Sequence, residues 1–457
     1  MASDPVESIG SAIGVIGDVV GLISSIVNTL FPPAPPESLN NFRVHVGSVN
    51  RDNQDENGNK IIDTEEEKSL SGNAPALAAW GPGGTFLGQV TPDGVTTQKI
   101  NAPGFRDYSI EGRSGAEYLS VVQTGNDGVC IHLITAQSAN VNLKYAWTGD
   151  IGKACGAPWY PSAQRITNVL EETPPVCVWI DGNGDSGHIW KGFNFHLPSF
   201  PVTEGADDKV QESTQRVVDA WKANRDLLCK SEPRFSMYED IKIGNQIRTY
   251  LGDPTFEDAS SQEYADKVLN ADNWDWGEKP PAGKLPLSAN GKTAQIACLD
   301  EECPPKGPSF DKNLAIQKQT CRRLQRRDKR RQKVDNKQDF VAALKKRQEV
   351  HADRLVVSKI KQHSAIEVCN SQSSLGPDFL SMSEMMFCDM SEKTLWPVCV
   401  DETASYCFNM DTQTVKGSIS SLPTTSQPLF TNVTDFNTQL AIPNKFYTSV
   451  NTWDALF

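Results

Sequence analysis

Along the first thirty residues, Ile9, Ile13, Ile16, Val20, Ile23, Val27 and Leu30 recur at alternating steps of four and three. Gly10, Gly14, Gly17, Gly21, Ser24 and Asn28 follow the same rhythm one place later. This spacing predicts a helix over residues 1–31 with an apolar seam beside a glycine seam, a pattern that lets a neighbouring backbone approach closely. Such a helix is expected to self-associate or to lie against a membrane. Asp18 would cost about 2.5–3.5 kcal/mol at a bilayer centre, which ranks self-association above a true span. Pro32, Pro33, Pro35 and Pro36 then make residues 32–41 a stiff linker.

Over residues 42–200 the pattern changes to short apolar alternations. Examples begin at Phe42, Thr85, Tyr118, Val129 and Cys177, with turns at Gly83–Gly84, Asp93–Gly94, 125–128 and 182–184 between them. Strands at this spacing predict an antiparallel β-sandwich or barrel, with Trp80, Tyr145, Trp147, Trp159, Tyr160, Trp179 and Trp190 as its core and rim. Val210, Val217, Ala220, Trp221, Leu227 and Leu228 are spaced for one buried face of a helix within 205–228. Residues 201–310 thus read as that helix plus a long irregular connection. A basic helix is expected over 311–362, a cysteine module over 363–415 and a tail over 416–457. The fold class is therefore α+β, mainly β: an N-terminal amphipathic helix, the β domain, the basic helix and a disulfide-stapled C-terminal module.

Charge changes this picture in one place. The 457-residue chain carries a net −13, which argues against a sequence-specific nucleic-acid binder. Residues 312–361, however, hold seventeen Lys and Arg against five Asp and Glu, a surplus of twelve, so the remainder carries −25. Within them Arg322, Arg323, Arg326, Arg327, Arg330 and Arg331 form pairs four residues apart, a cationic helical face for an acidic surface of the same chain or an external polyanion. The same pairs are candidate dibasic processing sites.

Eleven cysteines bear on the compartment. Cys369, Cys388, Cys399 and Cys407 cluster in a segment poor in periodicity, which points to disulfides and an oxidising environment. Sequential pairing, Cys369–Cys388 and Cys399–Cys407, suits a locally folded module. No Cys/His spacing reads as a zinc site. Asp4 and Glu7 stand where a secretory leader carries basic residues, so an extracellular or cell-surface location requires unconventional export or a leader already removed. A cytoplasmic location is the alternative.

Candidate chemistry is sparse. Asp181, Asn183 and Asp185 alternate oxygen ligands as a calcium loop does, although Ser186 occupies the place of the usual glycine. Asn53, Asp55 and Asn57 make a second run of this kind. Calcium is the one cofactor these residues imply, with a polar turn as the alternative. Ser186, His45 and Asp93 match the order of a serine-protease triad, but the flanking residues do not. Asn432–Thr434 is a glycosylation sequon.

The segments CGAPWY (155–160), CVWIDGNGDSGHIWKGFNFHLPSF (177–200) and 363–412, with its GPDF, FCDM and PVC elements, resemble a group of filamentous-fungal proteins that carry a W-I-D turn segment and this cysteine module. The resemblance implies a fungal source and extracellular display; it supplies no catalytic residues. Taken together, these features lead to the expectation of a non-enzymatic, self-assembling structural or interaction protein of a fungal cell surface, matrix or secreted complex. It would form homo-oligomers through its N-terminal helix. The alternatives are a membrane-active, pore-forming protein using the same helix, and a glycan-binding protein or hydrolase, with cell-wall glycan as its partner, using the 177–200 loop.

Overall fold

A computed structural model describes residues 28–34, 38–47, 70–92, 99–100, 104–112, 114–137, 144–166, 174–183, 190–202, 208–243, 245–252, 261–279, 351, 353–401, 404, 407–416 and 445–453. The expected N-terminal helix seam, Ile9 to Val27, lies outside them. So do the Asn53 run, Asp93, Ser186, the arginine pairs at 322–331 and the sequon.

The described residues are mainly β, with strand exceeding helix. Leu39–Val46 lies near the middle of a six-stranded antiparallel sheet. It pairs with Phe105–Glu111 on one side and Val129–Gln137 on the other. Val129–Gln137 also carries Cys177–Ile180 and Lys144–Thr148, and Trp159–Tyr160 closes the far edge. A five-stranded sheet runs in the order Phe235–Tyr238, Gly192–His196, Tyr118–Val122, Ala76–Trp80 and Phe86–Val90. Its first strand lies beyond residue 200, so the β unit extends past the expected boundary at that position.

Period-two alternation explains how these sheets meet. Leu77, Ala79, Leu119, Val121, Phe193 and Phe195 join Phe42, Val44, Val46, Leu133 and Trp147 in one buried cluster. The Trp147 ring stacks on Phe193 at 4.5 Å between centroids and lies 5.9 Å from Phe235, linking the two sheets. The alternate residues Ala76, Ala78, Trp80, Tyr118 and Val122 pack on the other face against Ile241, Ile243 and Ile247. Of the aromatics assigned to core and rim, Trp190 is half-buried and the other six are buried.

The helix expected over 205–228 is present as Asp208–Ala223 followed by Asp226–Cys229, with Val217, Ala220, Trp221, Leu227 and Leu228 buried as the spacing requires. The connection expected to be irregular instead contains a two-stranded antiparallel sheet of Arg248–Tyr250 and Trp274–Trp276, with the helix Gln262–Leu269 between them in the chain. Ser261 caps that helix, its hydroxyl accepting from the Tyr264 amide.

A second correction concerns the basic segment. Arg354–Ser358 is a strand, so a helix does not continue to residue 362. Leu355 and Val357 face one apolar cluster while Val356 faces another, an alternation that β-branched residues fill well. This strand lies next to the edge of a five-stranded sheet ordered Thr394–Pro397, Met386–Asp389, Asp378–Ser381, Arg354–Ser358 and Ser449–Trp453. It pairs in parallel with both neighbours, so this sheet is mixed rather than antiparallel.

The cysteine module docks on the edge of the six-stranded sheet. Trp159 Nε1 donates to Ser371 Oγ at 2.9 Å, Trp179 Nε1 to the Leu375 carbonyl at 3.0 Å, and Tyr160 Oη to the Pro377 carbonyl at 3.0 Å. Gly376 makes this approach feasible, since a Cβ there would fall 2.3 Å from Tyr160 Cδ2.

Candidate functional site

Disulfides are the first covalent feature. Cys369–Cys388 and Cys399–Cys407 are both formed, the sequential pairing favoured by local folding. Two more had no local signal in the sequence. Cys130–Cys177 joins neighbouring strands of the six-stranded sheet, and Cys155–Cys229 ties the end of the helix Gly149–Ala154 to Asp226–Cys229. Cys298, Cys303 and Cys321 lie outside the described residues.

Chemistry concentrates in the C-terminal sheet. Asp378 opens one strand, Asp389 ends the next, and Lys445 precedes the last. All three are buried. Lys445 Nζ lies 3.1 Å from Asp378 Oδ2, 2.9 Å from Asp389 Oδ1 and 3.2 Å from Ser391 Oγ, which accounts for its three protons. Tyr447 Oη donates to Asp378 Oδ2 at 2.6 Å, and the Met390 amide donates to Asp378 Oδ1 at 2.7 Å. Asp389 Oδ1 also accepts from the amides of Ser391 and Glu392 and from the Ser391 hydroxyl.

Burial first, and the neighbouring Asp389 carboxylate second, push the Asp378 carboxyl up to about 6. Burial opposes the charge on Lys445, but the two carboxylates outweigh it and hold its amine above the ordinary lysine value. Burial lowers nearby Lys393 to about 7. Its ammonium is held by the carbonyls of Val368 and Ser374 at 3.2 and 2.9 Å and by the Ser374 hydroxyl. A lysine against a serine resembles a nucleophile and its base. Ser374, however, is fully buried and its hydroxyl donates to the Val368 carbonyl, so this pair closes a turn.

The residues singled out from the sequence fall elsewhere. Asp181 follows the strand Cys177–Ile180, buried, and its Oδ1 accepts from the Asn183 amide at 3.2 Å as in an Asx turn. Asp185 lies outside the described residues, so the trio is not brought together here. No group of three or more His, Cys, Asp or Glu among the described residues is placed to hold a metal ion. His45, first in the triad order, is buried with its Nε2 2.9 Å from the Leu30 carbonyl, and burial lowers it to about 4. Asp378, Asp389, Lys445 and Tyr447 went unnoticed in the sequence. The available signal was an acid set among apolar residues in both GPDF and FCDM.

No protein-family model matches the chain, and no curated protein matches it. Among solved structures, the crystal structure of a protein described as Delta413-417:GS LOX is similar over 24% of this chain and 14% of that one, at 10% identity and a TM-score of 0.17. Its I805W variant is similar over 40% of this chain and 20% of that one, at 10% identity and a TM-score of 0.20. The chain thus spans less than a quarter of the length of these structures, and likeness at this level carries no inference.

Proposed function

We propose that the protein is a non-enzymatic structural or interaction protein of an oxidising setting, a fungal cell surface, matrix or secreted complex, that self-assembles through residues 1–31. The observation that supports this most is the distribution of its four disulfides. One lies within the six-stranded sheet, one ties that unit to the helices beyond it, and two staple the C-terminal module. Bonds so distributed suit a chain that must hold its shape outside a reducing cytoplasm. The six-stranded sheet and the five-stranded sheet that Trp147 joins to it would form a sandwich that presents the loops at its ends. Among the described residues, no helix is long and apolar enough to cross a membrane.

Assembly is tested by size-exclusion chromatography with light scattering on the full chain and on its Gly14→Leu/Gly17→Leu variant. Leucines at these positions block close backbone approach. The expected result is an oligomer for the native chain and a shift toward monomer for the variant. A monomer at every concentration of the native chain would refute the assembly reading.

A further inference from the structure

The polar cluster of the C-terminal sheet has more to it than an ion pair. An amine and a carboxyl group in contact, shut away from water, with a second carboxylate on the amine, are the reactants and the proton carrier for amide formation. We propose that Lys445 and Asp378 join through an isopeptide bond between Nζ and Cγ, formed by the folded chain itself with Asp389 as proton carrier.

The geometry places each part. Lys445 Nζ sits 3.1 Å from Asp378 Oδ2, so the amine rests against the carboxyl group whose carbon it attacks. A fold that holds amine and carboxyl group in contact makes the attack intramolecular, so the entropy of bringing the two together is already met in folding. Tyr447 Oη, donating to Asp378 Oδ2, and the Met390 amide, donating to Oδ1, polarise the carboxyl and stabilise negative charge that develops on it during attack. Asp389 Oδ1 is 2.9 Å from Nζ, within proton-transfer reach. Its remaining donors come from the Ser391 and Glu392 turn and hold it in place.

The step balances without a co-reactant. Asp389 takes one proton from the Lys445 ammonium, and the freed amine attacks Cγ of Asp378 in its carboxylic acid form. The N–C bond forms, the C–O bond to the departing hydroxyl breaks, and a second nitrogen proton leaves with that hydroxyl as water. Ammonium, acid and carboxylate become amide, water and acid. Two opposite charges disappear from the interior, where the desolvation of each costs several kcal/mol. Burial keeps a fraction of Asp378 in the required acid form near neutral pH, since its carboxyl is raised to about 6.

The bond would fix the strand that follows Lys445. Lys445 introduces Ser449–Trp453, an edge strand of the sheet, and residues 417–444 before it are outside the described structure. A covalent tie at Lys445 holds this strand on the module, as the disulfides hold the module's other turns.

The test is mass spectrometry of the native full-length protein after reduction and alkylation. The expected intact mass is lower than that of the alkylated sequence by one water. Trypsin should fail to cut after Lys445, and a branched peptide should join Lys445 to Asp378. Lys445→Arg should restore the full mass, and Asp389→Asn should leave most molecules unlinked. Unmodified Lys445 and Asp378 peptides from the native protein would overturn the proposal. So would a branch to Asp389, or a water lost from Asp378 alone through ring closure to a succinimide.

Discussion

Five of the six histidines are described, and all five are buried in the neutral form. Burial lowers His45 and His351 to about 4, and His132, His196 and His363 to about 3. In the unfolded chain each regains a value near 6.5, so between that pH and about 4 the unfolded state binds more protons. Stability then falls as the pH falls. Two carboxyls act in the opposite sense. Burial raises Asp150 to about 7 and, in molecules where it is not linked to Lys445, Asp378 to about 6, so the folded state binds their protons first. Five groups against at most two leave acidification destabilising. The denaturant midpoint is therefore expected to drop steadily from pH about 6.5 to about 4. A midpoint that is flat or rises over that range would show that these histidines are not held neutral.

At the scale of elements, the contact between Gly376 and Tyr160 is the sharpest test of how the module docks. Gly376→Ala drives a methyl group into the ring, an overpacking that should cost about 1–3 kcal/mol. Urea denaturation should show that loss with the Cys369–Cys388 bond intact; an unchanged midpoint would mean that the module does not rest on Tyr160. The strands of the first two sheets were legible because their alternation is local and their turns carry glycine, as at 39–46, 118–122 and 129–137. The pairing of Cys369 with Cys388 was legible for the same reason, a short loop. Arg354–Ser358 was not, since Arg354, Lys359 and Lys361 continue the basic run and mask the Leu355-Val-Val core. Its parallel partners are remote in sequence, and nothing local announces a parallel pair. The polar cluster was hidden by the same distance: Lys445 stands 56 residues from Asp389.

At the scale of the whole molecule, three large sheets meet through aromatic contacts and hydrogen bonds. Lys153 shows how the units are joined, pairing with Glu367 of the module at 2.6 Å and lying 4.0 Å over the Trp159 ring. Such partly exposed pairs orient the interface but add little stability. The disulfides contribute more, typically about 2–4 kcal/mol each, and only where thiols are oxidised. The central claim, a covalently stapled structural protein of an oxidising compartment, therefore rests on the state of eight cysteines. Peptide mapping of the native protein without reduction tests it most directly. The account predicts four linked pairs: Cys130–Cys177, Cys155–Cys229, Cys369–Cys388 and Cys399–Cys407. Free thiols at these eight positions would contradict it.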